Sequence, residues 1–337
     1  MALAIFKALV PYFGGKRRLC GQIFRHVPPP LDAPVLVDAF LGGGSVSLYA
    51  KARGYRVLSN DIAERSALVG RALIANSHVR IDPEDLVRLQ APDPTCPRFI
   101  EERFVPDYFL PRHSRWLDTG LSNAARVPDG VKRDLLRLLL VHCILRLRPY
   151  SEFARREPTR RLAEGDFDDV RCLSRRGLRE LLHEAPGHMA ARFARAINGG
   201  VLSNGVENEF HQRDVFDFLA RVEGDVVYLD PPYFGSGVYE KFYHVLDQIL
   251  EGRERERSAF SQKGAEELLL RLLEACRKFP HWVLSFGGGK LGAEECRALV
   301  ARFRRAELVP LRHRYSFGQS DRRSRTSTRE VLVVGRP

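Results

Sequence analysis

Apolar residues along this chain form short unbroken runs near both ends and fall into helical spacing between them. Residues 35–40 (Val-Leu-Val-Asp-Ala-Phe) read as a buried strand entering the Gly42-Gly43-Gly44 turn. Residues 45–53 carry helical spacing, and 55–60 read as a second strand ending at Asp61. A strand, glycine turn, helix and strand in that order open a doubly wound parallel sheet. From 62 to about 200 the spacing becomes helical, first over 62–77 and later over 131–147, between loops rich in Pro, Asp and Arg. Strand signals resume at 209–212, 225–230 and 281–286, and a closing pair is expected at 308–316 and 329–334. Helices are predicted over 261–278, where Ala265, Leu268, Leu269, Leu272 and Cys276 share a face, and over 293–304. The pattern predicts an α/β fold whose sheet domain is split into 1–61 and 201–337, with a mainly helical unit, 62–200, inserted between the halves.

The length of 337 residues suits one substantial core and a smaller second unit. The longest apolar stretch, 138–145, is too short to span a bilayer, so no membrane role is expected. Residues 2–10 lead straight into Pro-Tyr-Phe-Gly-Gly-Lys, which is not the layout of a cleavable leader. Cys20, Cys96, Cys143, Cys172, Cys276 and Cys296 are scattered, with no Cys-x-x-Cys and no His cluster at ligand spacing. That distribution fits a reduced cytoplasm and a protein without metal. The formal charge of +12 points to a polyanionic partner, although an Arg-heavy genome would give the same excess.

The candidate chemistry begins at the glycine turn. Gly42, Gly43 and Gly44 follow a strand carrying Asp38 and Phe40 and precede a helix, so a ligand can approach the backbone closely. Asp61 ends the next strand, where a carboxylate meets ribose hydroxyls. These features suit a nucleoside cofactor of either the dinucleotide or the S-adenosylmethionine type, and a tight turn with a capping Asp would look alike. Upstream, Tyr12 offers an aromatic face for a flat ring or a sulfonium, and Lys16 a partner for a carboxylate. That combination is natural for S-adenosylmethionine and unusual for a nicotinamide dinucleotide. Asp214 could accept from an adenine amino group with Val215 over the ring, or simply cap a helix.

The second centre is Asp230-Pro231-Pro232-Tyr233, directly after the apolar run Val226-Val227-Tyr228-Leu229. Two prolines cannot continue a sheet ladder, so the chain must leave the carboxyl edge with stiff backbone angles. The Asp230 carboxylate and the Pro231 carbonyl then form an acceptor pair able to hold both hydrogens of an exocyclic amine and turn its lone pair outward. Tyr233 supplies a π face for an extruded base.

Taken in order, Pro-Tyr-Phe-Gly-Gly-Lys, Asp-Ala-Phe-Leu-Gly-Gly-Gly-Ser-Val, Ser-Asn-Asp-Ile and Asp-Pro-Pro-Tyr resemble the D12-class DNA adenine-N6 methyltransferases, the family of the bacterial DNA adenine methylase. The resemblance covers 11–61 and about 209–335, including Arg-Tyr-Ser-Phe and Arg-Glu-Val-Leu of a closing hairpin. It implies a Rossmann-like methyltransferase sheet and S-adenosylmethionine as cofactor, with transfer to adenine N6 of a flipped base in double-stranded DNA. By the same resemblance Tyr12 is an aromatic cofactor contact and Lys16 the motif lysine. Phe40 and Gly42 to Gly44 make up the glycine-rich motif, Asp61 binds ribose, and Asp230 serves both cofactor and amine. Around Arg146-Leu147-Arg148-Pro149-Tyr150 the family's Asn-Gly recognition segment is missing, and 251–262 looks inserted, so no target sequence carries over.

Two basic stretches are candidates for gripping phosphates: 146–161, with Arg148 and Tyr150, and 312–329, with Arg314, Arg322, Arg323 and Arg325. Either could equally be a solvated face. Tyr239, Phe242 and Tyr243 are candidates to close over the base or to pack in the core. A monomer is expected. The rival readings are an enzyme acting on structured RNA, an inactive nucleic-acid-binding protein on the same scaffold, and a nicotinamide dehydrogenase, the last of which leaves Asp-Pro-Pro-Tyr unexplained.

Overall fold

The computed structural model describes residues 2–147, 153, 160, 164, 183–232, 238–252, 265–287, 291–311 and 330–337. Its described strands are β1 (Val35–Asp38), β2 (Arg56–Asn60), β3 (Glu209–His211), β4 (Val226–Leu229), β5 (His281–Phe286), β6 (Arg305–Pro310) and β7 (Val331–Arg336). They form one seven-stranded sheet in the order β3-β2-β1-β4-β5-β7-β6. The first five are parallel: Val37 of β1 lies between Leu58 of β2 and Val227 of β4, and Val227 lies opposite Trp282 of β5. Among the described strands β7 is the one reversed in direction, slotted antiparallel between β5 and β6. This is the α/β, Rossmann-like sheet that the apolar runs predict.

Alternation along the central strands explains why those runs are unbroken. Leu36, Val57 and Val226 face one apolar core, and their neighbours Val37, Leu58 and Val227 face another. A strand covered on both faces needs apolar residues at every position. On the first face the helix Ser45–Ala52 and the turn Gly70–Ala75 lie on the strands, and the helix Gly130–Arg146, whose Leu135, Leu136, Leu139 and Ile144 are fully buried, packs on that turn from outside. On the second, Phe218, Leu269, Leu272 and Cys276 pack against Trp282 and Val333. Each such side chain contributes about 1.5–3 kcal/mol when fully buried.

Element ends follow local chemistry. β1 stops at Asp38, short of the expected 40, because Asp38 Oδ1 accepts the Phe40 N–H at 3.3 Å and turns the chain toward the glycines. Asp129 starts the Gly130–Arg146 helix by accepting from the Val131 and Lys132 amides at 2.9 and 3.1 Å. β6 begins earlier than predicted, at Arg305, while 312–316 and 329 of the expected pair lie outside the described residues.

The single helix expected over 62–77 is two pieces, an α-helix Glu64–Val69 and a π-helical turn Gly70–Ala75. Gly70 presses on the Phe210 ring of β3, where a Cβ would lie 2.1 Å from it. The carbonyls at the end of the widened turn are taken by Lys51, a fully buried side chain from the helix Ser45–Ala52. Its Nζ donates to Leu73, Ile74 and Asn76 at 3.1, 2.8 and 2.7 Å. Replacing it strands three buried acceptors. Lys51→Met should therefore destabilise the protein by about 2–4 kcal/mol, read as a lower midpoint in urea at unchanged m-value. A midpoint equal to that of the wild type would refute the capping role.

Candidate active site

Strand order reverses between β1 and β4, because the chain builds outward through β2 and β3 and then returns to the other side of β1. Ligands bind in open α/β sheets in the crevice at such a switch point, beyond the carboxyl ends of the strands. Both chemical motifs leave the sheet there. Gly42 to Gly44 follow β1 and Asp230-Pro231-Pro232 follow β4, with the Ala39 N–H donating to the Tyr228 carbonyl at 3.1 Å to hold the two exits together.

Three segments remote in sequence meet at one ammonium group. Lys16 Nζ lies 3.0 and 2.8 Å from the two carboxylate oxygens of Asp230, 3.1 Å from Glu330 Oε1, and 2.9 Å from the Gly14 carbonyl. The side chain of Lys16 is 4% exposed and that of Glu330 0%, whereas that of Asp230 is 21% exposed. Asp230 is therefore the member of the triad that a substrate can reach. Burial pushes its carboxyl up to about 6, against the lowering pull of Lys16, and the Glu330 charge adds to the rise. Asp38, behind it on β1, is 1% exposed and pushed up to about 7 by burial; its Oδ2 accepts from the Ser47 hydroxyl at 2.6 Å.

The end of the crevice beyond β1 is organised by β2. Asp61 accepts from the Gly42 and Ala63 amides at 2.8 and 2.9 Å, which fixes the glycine turn to the end of β2. Gly42 adopts φ +52°, a conformation suited to glycine. Asn60, 2% exposed, donates to the Ala39 and Arg213 carbonyls at 3.4 and 3.2 Å and accepts from the Arg213 amide at 3.1 Å. One amide side chain thus ties the exits of β1, β2 and β3. Asp214 caps the helix Val215–Arg221 by accepting from the Phe216 amide at 2.9 Å, and Val215 is buried beneath it.

Tyr12 lies across the glycine turn. A Cβ on Gly43 would fall 2.6 Å from Tyr12 Cβ, and one on Gly42 3.2 Å from the ring. The glycines accordingly make room for an aromatic side chain. On its other side Tyr12 stacks on Tyr243, with ring centroids 5.2 Å apart, and the Phe13 N–H donates to Tyr243 Oη at 2.7 Å. Arg65 lies over the Tyr243 ring at 4.5 Å while its Nη1 reaches both Asp247 oxygens at 2.6 and 2.5 Å. Phe242 packs on Phe13 at 5.0 Å.

Most of the predicted site thus converges on one edge: Tyr12, Lys16, Asp38, Phe40, Gly42, Gly43, Gly44, Asp61, Asp214, Val215, Asp230, Pro231 and Pro232. Tyr233, Arg148, Tyr150, Arg314, Arg322, Arg323 and Arg325 lie outside the described residues, as does the side chain of Tyr239. Three contributors were not singled out from the sequence. Asn60, Ile62 and Glu330 lie in the quoted Ser-Asn-Asp-Ile and Arg-Glu-Val-Leu motifs, but the roles of Asn60 and Glu330 emerge only from their partners, and Ile62 is an apolar side chain 57% exposed beside Asp61. Among the described residues no group of three or more His, Cys, Asp or Glu is placed to hold a metal, and no helix is long and apolar enough to cross a membrane.

Comparison with known proteins bears out the resemblance read from the motifs. Residues 12–116 match the D12 class N6 adenine-specific DNA methyltransferase family. Over 335 residues the chain is 28% identical to the Type II methyltransferase M2.HphI of Haemophilus parahaemolyticus, covering 97% of this chain and 98% of that protein.

The two raised carboxyls have a consequence for stability. A group whose folded value exceeds its ordinary one binds more protons in the native state, so its contribution is present at low pH and lost as pH rises. For Asp38 the window runs from the ordinary carboxylate range up to about 7. Asp38→Asn should raise Tm at neutral pH by about 2–4 °C and leave it near the wild-type value at about pH 4. Thermal melts at both pH values test this, and an equal difference at the two would contradict it.

Proposed function

We propose that this chain, which carries a D12-class N6 adenine-specific DNA methyltransferase domain, moves a methyl group from S-adenosylmethionine to adenine N6 of a base turned out of double-stranded DNA. The observation that carries the reading is the half-open Asp230 carboxylate, fixed by buried Lys16 at the β1–β4 switch point. The adenine amine is a poor nucleophile because its lone pair is delocalised into the ring. Acceptors at Asp230 and the Pro231 carbonyl would take its two hydrogens and direct the lone pair away from the ring plane. Asp230 then receives the proton released once the new N–C bond has formed.

The residues at this edge fit the cofactor. Asp61 offers acceptors for ribose, Ile62 and Phe40 flank it with apolar surface, and the carboxylates gathered near Lys16 favour a cationic centre. When bound, S-adenosylmethionine supplies an electrophilic methyl on a positively charged sulfur. The similarity to a Type II methyltransferase supports a restriction–modification setting in the cytoplasm. The helical region 62–200 and the basic stretches with Arg148 and Arg314 are assigned to target recognition, consistent with the +12 charge.

Tritium transfer from labelled cofactor to duplex DNA tests the proposal. Asp230→Ala should lower the rate at least about 100-fold, while cofactor binding by calorimetry falls far less. Full activity in that variant would defeat the mechanism, and labelling of structured RNA alone would replace DNA as the substrate.

A further inference from the structure

Glu330 has no part in the acceptor chemistry above, yet it is fully buried and touches the same ammonium as Asp230. It stands at the head of β7, where its backbone carbonyl accepts the Leu311 N–H at 2.8 Å, and its Oε1 accepts from the Ser285 hydroxyl of β5 at 2.9 Å. A carboxylate in such a place is costly unless paired. Here it is held from two sides, by β5 through Ser285 and by the N-terminal segment through Lys16.

With Lys16 alone, Asp230 would be one half of a simple ion pair, and an acceptor whose charge is neutralised at 2.8 Å binds an amine hydrogen weakly. A second carboxylate on the same ammonium changes that balance. We propose that Glu330 is a positioning residue for the reaction: by sharing Lys16 with Asp230 it anchors the ammonium and leaves the Asp230 carboxylate a strong acceptor for the target amine. The inference rests on the reading of Asp230 as that acceptor.

Among the described residues, the charged and titratable groups around Asp230 are Lys16 from the N-terminal segment, Glu330 at the head of β7, Asp38 from β1 and Tyr228 from its own strand. Tyr228 is held neutral by burial and Asp38 sits behind the pair, so Lys16 and Glu330 dominate. Burial still holds Asp230 up when the Glu330 charge is removed, but the lowering effect of Lys16 then meets less opposition, and Asp230 titrates at lower pH. Because the rate needs Asp230 ionised, the acid limb of the pH–rate profile moves the same way.

The test uses the full-length protein, with kcat measured at saturating duplex DNA and S-adenosylmethionine. Glu330→Gln should lower the plateau about tenfold and shift the acid limb down by about half to one pH unit. Glu330→Asp, which keeps the charge, should leave the limb within about 0.3 pH units of the wild type. Calorimetric affinity for S-adenosylmethionine should change little in either. A merely structural Glu330 would lower the rate at every pH with the limb unmoved, and that result, or a wild-type plateau in Glu330→Gln, overturns the inference. If Glu330→Gln melts below the assay temperature, Ser285→Ala takes its place, since it frees Glu330 without removing its charge. A rate loss of about threefold or more at unchanged cofactor affinity then supports the role, and a wild-type rate overturns it. An inactive wild type would overturn the functional reading and this inference together, whereas an active wild type with an indifferent Glu330→Gln overturns this inference alone.

Discussion

The contact on which the site depends is the one between the Lys16 ammonium and the two carboxylates of Asp230 and Glu330. A lysine buried to this degree needs acceptors at hydrogen-bond distance; here two of them are carboxylates, and neither lies near it in sequence. Lys16 and Asp230 are 214 residues apart. For the triad to form, the N-terminal segment must fold across the carboxyl edge of the sheet, β4 must stop where it does, and β7 must insert between β5 and β6. The antiparallel β7 is what carries Glu330 back to the edge from which the parallel strands emit their loops.

The sheet supplies the rest of the geometry. β1 and β4 are adjacent and parallel, with Asp38 opposite Tyr228, so their exits lie side by side. Placing the glycine turn on one and the double-proline turn on the other sets a nucleoside-binding edge beside an acceptor, without either loop having to be long. Asn60 and Asp61 fix the first exit from β2, and the prolines stiffen the second. Burial that makes this edge precise also holds Asp38 and Asp230 above the ordinary carboxylate range, a cost met by the apolar packing on both faces of the sheet.

Much of this was legible in the sequence, for an identifiable reason. Strands buried on both faces must be unbroken apolar runs, so β1, β2, β4 and β5 announce themselves, and turns that need glycine or proline mark where they end. Helix Gly130–Arg146 was legible to within a residue because its long apolar face and capping Asp129 agree. What stayed hidden depends on partners distant along the chain. Nothing in 62–77 signals that Gly70 must meet Phe210 and that Lys51 will take the last carbonyls, which is what turns one helix into an α and a π segment. Glu330 likewise reads as an ordinary charge within the closing strand expected over 329–334 until β7 is placed beside β5 and Ser285. Tyr243, a candidate either to cover the base or to pack in the core, is buried against Tyr12 and accepts from the Phe13 amide, partners that no local spacing names.

That last arrangement links the two halves of the site. The helix Val238–Glu251 is the next described element after the Asp230-Pro231-Pro232 turn, and it is fastened to the N-terminal segment by the Tyr12–Tyr243 stack, the Phe13–Phe242 contact and the Phe13 amide. Arg65, three residues beyond Ile62, fastens the same helix to the end of β2 through Asp247 and the Tyr243 ring. The segment that supplies Lys16 to Asp230 therefore also grips the chain on the far side of the Asp230-Pro231-Pro232 turn. Tyr12 is confined between Gly43 and Tyr243, so a ligand that displaced its ring would push on both the glycine turn and that helix. The Tyr12–Tyr243 pair thus joins the glycine turn to the helix that follows Asp230-Pro231-Pro232.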